Sequence, residues 1–221
     1  HQQVIKAADA GKNILCEKPI ALNSKQAEEM VVACKHNNVL LAVNYIHRVH
    51  PHVIKAKEII KNQTIGKLVS ISASFNIDFP PGSNFRFNKE LSGGGALRDL
   101  GTHMIDLLRF IGGEIVEING QIDNVIYSSE VEDFANAIVK FEKGCYCFFN
   151  LSYNCKKAFN RIEILGHTGA ISIENLIGVK VVPSKLTIQL EGEAKKSFRK
   201  RGNKFLFMIK AVQKSFLKKQ P

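Results

Sequence analysis

Residues 11–51, "GKNILCEKPIALNSKQAEEMVVACKHNNVLLAVNYIHRVHP", carry a short apolar segment, an amphipathic segment and a second apolar segment in one run. "NILC" (13–16) is too short for a helix and is closed by Glu17, Lys18 and Pro19, so it reads as a strand. Ala27, Met30, Val31 and Cys34 recur at steps of three and four, and Asn23 stands three residues ahead of Gln26. That pattern predicts a capped helix over 24–36. "VLLAVN" (39–44) is apolar with little alternation, as a strand covered on both faces is. Ahead of the run, residues 2–10 have helical composition and stop at Gly11, which suits a left-handed helix end. The expected order is helix, strand, helix, strand.

A strand–helix–strand crossover is right-handed and leaves its two strands parallel, with both carboxyl ends at one edge. At that edge stand "EKP" (17–19) and "NYIHRVHP" (44–51). Ligands of open parallel sheets bind there. Pro19 restricts the backbone of Lys18, which suits a lysine that must aim its ammonium and equally suits a plain strand-ending turn.

The period changes after a predicted helix at 52–63. "KLVSISASFNIDF", "EIVEINGQID", "EDFANAIVKFEKGCYCFFNLSYN", "NRIEILGHTGAISIEN" and "KLTIQLEG" read as strands separated by glycine or charged turns, with hairpin corners at 142–144 and 167–169. The chain therefore reads as α/β followed by α+β. A partial parallel sheet precedes an open, mostly antiparallel sheet with helices on one face, and the two parts share a cleft. We divide it into 1–64, 65–195 and a basic, partly helical segment at 196–221.

Within the second part, "LSGGGALRDLGTHMIDLLRFIGG" (91–113) reads as a largely apolar helix over 97–111 that carries two carboxylates and an imidazole. Asp99, His103 and Asp106 are four and three apart and so share a helical stripe. An aspartate one turn before a histidine orients the ring and favours its protonated form. The group so tuned suits general acid–base catalysis, and the same residues also suit a buried structural network. Gly93–Gly95 permits close backbone approach to a ligand, or simply a turn into the helix.

Composition narrows the field. The 221 residues are 45% apolar, enough for a real core. Five cysteines form no zinc-like pair of pairs, and their odd number argues against a disulfide scaffold. A reducing, cytoplasmic setting is expected. No run of 18 apolar residues reads as a membrane span. Of the net charge of +11, nearly all falls from Lys180 onward, where 12 Lys and Arg face Glu191 and Glu193. This tail reads as a solvated basic face, with contact to nucleic acid or anionic membrane the weaker reading, since no ribonucleoprotein or helix-turn-helix signature accompanies it. His47, His50 and His52 add imidazoles without a metal-ligand signature, so no metal is expected, and His50 and His52 are expected at the surface. Cys145 and Cys147 alternate in a strand and suit inert packing. No nucleophile elbow is present.

"AGKNILCEKPIAL" (10–22), "NYIHRVHP", "IGKL" (65–68) and "GGGALRDLGTHMIDLLRFIGG" (93–113) occur in an order and at intervals that resemble the glucose-fructose oxidoreductase and inositol dehydrogenase (Gfo/Idh/MocA) family, over essentially the whole chain. The resemblance implies a Rossmann-type dinucleotide-binding part, an open-sheet part, NAD or NADP as cofactor, and reversible oxidation of a secondary alcohol on a sugar or cyclitol. It implies Lys18, Asp99 and His103 as catalytic residues. Lys18 would contact the reacting oxygen, His103 would move its proton and Asp99 would hold the imidazole. It implies Glu17, Lys18, Pro19, Asn44 and Arg48 around the cofactor, with Asn44 and Arg48 bordering either the nicotinamide or the substrate. It also implies homo-oligomers formed through the sheet, for which "CYCFFNLSY" offers Tyr146, Phe148 and Leu151, although the same run suits an intrachain core. No G-x-G-x-x-G occurs. A family member carries that phosphate loop ahead of the position where this chain begins, so the chain is expected to be part of a longer protein. A catalytically inactive binding or regulatory protein built on the same fold is the alternative.

Overall fold

The computed structural model describes residues 1–158, 160–176 and 183–200. Its first part comprises α1 (Gln2–Asp9), β1 (Ile14–Cys16), α2 (Ser24–His36) and β2 (Leu41–Val43). β1 and β2 pair in parallel, Ile14 opposite Leu41 and Cys16 opposite Val43. The cap of α2 forms as its sequence requires. The Asn23 side chain accepts from the Gln26 amide at 2.9 Å, and Gln26 Oε1 accepts from the Leu22 amide at 3.1 Å. Gly11, at φ +69°, turns the chain from α1 toward β1. Val4 and Ala8 of α1, Ile14, and Met30 and Cys34 of α2 close one small core. Leu15 points to the opposite face and is 37% exposed. Cover on both faces, expected from the sequence, is thus absent among the described residues, because both helices contribute to a single core.

A one-turn 3-10 helix (Ile46–Val49) leads into α3 (Pro51–Lys61) and then the large sheet. Its strands are β3 (Leu68–Asn76), β4 (Ile115–Asp123), β5 (Phe134–Phe141), β6 (Tyr146–Ser152), β7 (Arg161–Gly166), β8 (Gly169–Glu174), β9 (Ser184–Leu190) and β10 (Lys196–Lys200). They lie in the order β10-β9-β8-β7-β3-β6-β5-β4. β4–β6 and β7–β10 are two antiparallel meanders, and β3 joins them, parallel to β6 and antiparallel to β7. Between β3 and β4 come a 3-10 turn (Phe85–Phe87), α4 (Lys89–Ser92), a π-helical turn (Leu97–Gly101) and α5 (Thr102–Gly112). Helices α3 and α5 pack on one face. Val53, Ala56, Met104, Leu107 and Leu108 there meet Ile71, Val139 and Ile162 of the sheet, all with 0% exposure. Each such large side chain stabilises the fold by about 1.5–3 kcal/mol.

The parallel-then-antiparallel architecture is the one expected. Three local differences stand out. The helix expected over 97–111 opens as a π turn, so Asp99 and His103 do not share an unbroken α-helix. α3 falls within the 1–64 segment of the sequence reading, but its buried face belongs to the core of the large sheet. Residues 196–200 of the basic segment form β10 against β9, and its remainder, 201–221, lies outside the described residues.

Candidate active site

The carboxyl ends of β1 and β2 are tied together. Asn44 N donates to the Cys16 carbonyl at 2.8 Å, and Asn44 Nδ2 donates to Glu17 Oε1 at 2.6 Å. Parallel pairing puts these residues at one edge, and the next residue along, Lys18, reaches the large sheet's helical layer. Its ammonium donates to the Asp99 carbonyl at 3.0 Å and also to Asp99 Oδ1. Both side chains are largely shielded, at 14% and 20% exposure. The Lys18–Pro19 peptide is cis. Arg98 donates from Nη2 to the Ala21 carbonyl, a second tie between the "EKP" loop and the start of the π turn.

The glycine run makes this approach possible by packing backbone on backbone. Gly93, at φ +74°, closes α4. A Cβ at Gly95 would lie 1.9 Å from the Glu132 carbonyl oxygen. The Glu132 carboxylate accepts from the amides of Gly95 and Leu97, both at 2.9 Å, and so occupies two amides at the start of the π turn. The glycines thus make the turn into the helix, and Gly94 also lines the cavity described below.

Asp99 does not hold the imidazole. Its Oδ2 accepts from the Tyr153 hydroxyl at 2.8 Å and lies 3.4 Å from Arg86 Nε, while Oδ1 is engaged by Lys18. His103 Nδ1 is buried with no hydrogen-bond partner. Burial, reinforced by the Lys18 cation and opposed by Asp99, pushes the His103 imidazole down to about 4. The expected protonated His103 is therefore corrected to a neutral one, because desolvation outweighs the single nearby carboxylate. His103 instead meets His47 edge-on, ring centroids 4.7 Å apart, and His47 in turn meets Phe75 at 6.1 Å. Although burial acts against ionisation, the Lys18, Tyr153 and Arg86 contacts hold the Asp99 carboxyl below its ordinary value. Burial first and the Asp99 charge second push the Tyr153 phenol up, which keeps it a donor.

Asp106, the third member of the stripe, is paired with Arg48. Lys18, Pro19, Asp99, Arg98, Arg86 and Phe85 line a cavity of about 590 Å³ whose lining does not include His103, Glu17, Asn44 or Arg48. Asn44 Oδ1, Arg98 Nε and His103 Nδ1 are buried side-chain atoms without a partner. The expectation that His50 and His52 sit at the surface is also corrected. Both are 5% exposed, and Ser184 Oγ lies 3.1 Å from His50 Nε2 and 3.3 Å from His52 Nδ1. Cys145 and Cys147 are buried thiols pushed up to about 11 and about 12 by burial, in keeping with packing. Among the described residues no group of three or more His, Cys, Asp or Glu is placed to hold a metal ion, and no helix is long and apolar enough to cross a membrane.

Sequence reasoning did not single out Tyr153, Arg86 or Glu132. Tyr153 left no separate signal. It follows Cys147, Phe149 and Leu151 on the buried side of the strand, so its spacing reads as one more core position.

A parallel strand pair ending at Lys18 is thus set against an open sheet whose covering π turn and α5 bear Asp99 and His103. The chain belongs to the GFO/IDH/MocA family. Residues 53–172 match the GFO/IDH/MocA C-terminal domain, and residues 1–45 match the oxidoreductase-family NAD-binding Rossmann fold. Levoglucosan dehydrogenase of Pseudarthrobacter phenanthrenivorans is 36% identical over 126 residues, 55% of this chain and 32% of that protein. The 1,5-anhydro-D-fructose reductase of Ensifer adhaerens is 29% identical over 198 residues, 87% of this chain and 59% of that one. The crystal structure of aldose-aldose oxidoreductase from Caulobacter crescentus, complexed with glycerol, superposes with TM-score 0.84 at 25% identity, covering 97% of this chain and 64% of that one. The chain spans about half the length of the curated relatives it matches.

Proposed function

We propose that the complete protein is an NAD- or NADP-dependent oxidoreductase that transfers hydride between the nicotinamide and a secondary alcohol of a sugar or cyclitol. The observation that carries this reading is the Lys18–Asp99 contact, which joins the "EKP" loop to a helix 81 residues away beside an uncharged His103. When bound, the cofactor supplies the acceptor for the carbon-bound hydride. Glu17, Lys18, Pro19, Asn44 and Arg48 would border it. In the oxidative direction neutral His103 takes the hydroxyl proton, and Lys18 stabilises the developing charge on oxygen. Asp99 serves Lys18 rather than His103. Two-part division of the chain, with α3 going to the sheet part, belongs to the same proposal. So does a cytoplasmic setting, supported by five free cysteines.

The open face of the sheet supports association with a second copy. Ile138, Tyr146, Phe148 and Leu165 are exposed there, whereas Leu151, once considered with them, is fully buried in the intrachain core. Sedimentation of the complete protein at micromolar concentration tests this, and a stable monomer refutes it.

The activity is tested on the protein encoded by the complete coding region, with polyols and sugars screened by reduced-cofactor absorbance. Turnover that falls in Lys18→Ala and His103→Ala is expected. Absence of cofactor-dependent turnover across a broad panel, or full activity in both variants, overturns the reading.

A further inference from the structure

Asp99 has two carboxylate oxygens and two suitors for them. Lys18 takes Oδ1, and His103, one turn on, has a buried Nδ1 that nothing satisfies. What separates these outcomes is the group on Oδ2, the Tyr153 hydroxyl at 2.8 Å. We propose that Tyr153 is a positioning residue of the site. Its phenol fixes the plane of the Asp99 carboxylate so that Oδ1 faces Lys18, and it thereby keeps the carboxylate away from His103. This rests on the reading of Lys18 and His103 as the reacting groups.

The phenol is built to stay in place. Tyr153 is 0% exposed. Its ring meets Phe79 at 5.2 Å and Phe87 at 6.0 Å, both edge-on, and those two rings stack at 5.3 Å. Its amide donates to the Asp133 carbonyl at 2.8 Å. A ring clamped in this way offers its hydroxyl in one direction only. Arg86 also approaches Oδ2, but at 3.4 Å, from a side chain 37% exposed, and its guanidinium lies over the Phe85 ring. It is the weaker hold. Removing the hydroxyl leaves Oδ2 short of its short bond, and the carboxylate is then free to turn toward the unsatisfied imidazole, where attraction to a protonated ring rewards it.

The test follows His103 directly. The charged and titratable groups that bear on the pair are Lys18, Asp99, Arg86, Tyr153 and His47. In the intact protein, NMR titration of the His103 ring is expected to move upward from about 4 in Tyr153→Phe, and to stay near the wild-type position in Arg86→Gln. Phe87→Leu, which loosens the clamp but keeps the hydroxyl, should shift His103 less than Tyr153→Phe. With an alcohol substrate, kcat should fall roughly tenfold in Tyr153→Phe with little change in KM, the worth of one charge-assisted hydrogen bond. An unchanged His103 titration in Tyr153→Phe, or an equal shift in Arg86→Gln, overturns the proposal. Should Tyr153→Phe fail to fold, the wild-type protein decides. A hydroxyl held by a buried carboxylate gives a slowly exchanging downfield proton, and its absence refutes the contact. If no alcohol is turned over, the functional reading fails while the titration still reports on Tyr153. An active enzyme with an unmoved His103 sinks only the role given to Tyr153.

Discussion

Arg48 grips Asp106 with two parallel hydrogen bonds, Nε to Oδ2 at 2.8 Å and Nη2 to Oδ1 at 2.5 Å, across 58 positions of sequence. The carboxylate is 7% exposed and the guanidinium 44%. Burial raises the Asp106 carboxyl, and Arg48 opposes that rise. Arg48→Ala strands the carboxylate. We expect a loss of about 1–2 kcal/mol at neutral pH, less than for a fully buried pair because the arginine is nearly half in water. Its folded carboxyl is raised further in that variant, so the native state takes up protons first and the deficit shrinks as pH falls through that range. Urea midpoints at neutral and mildly acid pH measure this, and adding Asp106→Asn should recover much of the loss.

His103 sets a second pH dependence, of opposite sense. Its folded value near 4 lies below the ordinary 6.5. Between these values the unfolded chain binds the extra proton, so stability is complete above about 6.5 and declines as pH falls toward 4. In His103→Gln that part of the slope should vanish. Chemical denaturation at several pH values across the window reads the difference, and an unchanged slope contradicts the buried, neutral imidazole.

Gly95 and Gly82 make a matched pair of substitutions. A Cβ at Gly95 collides with the Glu132 backbone, whereas at Gly82 it meets nothing within 4 Å. Gly95→Ala should cost about 3 kcal/mol or more and disturb the Lys18–Asp99 approach. Gly82→Ala should be close to neutral. Thermal melts of the two proteins side by side settle the comparison.

Asp133 pins the loop after β4. It is 1% exposed, and its carboxylate accepts from the amides of Val125, Ile126 and Tyr127 at 2.7–2.9 Å and from Asn154 at 3.0 Å. Asp133→Ala leaves three amides unsatisfied at once, with an expected loss of about 2–3 kcal/mol. Because Asn154, the residue after Tyr153, donates to the same carboxylate, the Tyr153 ring should also gain freedom, visible as faster exchange of its hydroxyl proton.

Local chemistry was legible in the sequence and distant partnership was not. The α2 cap needs only Asn23 and Gln26, three residues apart, and formed as read. The crossover rule fixes direction and so brought Glu17 and Asn44 to one edge correctly, whereas Lys18 and Asp99 were placed in one site only through the family resemblance. The partner given to Asp99 was wrong, since Tyr153 reaches it through pairing of β6 with β3 and β5, which no local spacing encodes. His50 and His52 looked exposed beside Pro51 because a partner they meet in the fold, Ser184, lies more than 130 residues on. The π turn escaped notice for a related reason. Its geometry follows from Glu132 and from Gly95 lying against a distant backbone rather than from helical periodicity.

β3 is synthesised before either of its neighbours. Its parallel partner β6 begins at Tyr146 opposite Ser70, and its antiparallel partner β7 ends at Gly166 opposite Leu68. The hairpins β5–β6 and β7–β8 that flank it close over short turns, so each can form soon after it leaves the ribosome, while the central strand must wait for both. Ordering by loop length makes insertion of β3 the late, slow event of assembly. Until then its apolar face, with Ile71, Ala73 and Phe75, is open to solvent and to other chains. The joining strand is therefore where misassembly of this chain would begin, and pulse-labelled amide exchange should show Ile71 and Phe75 protected after Val139 and Leu151.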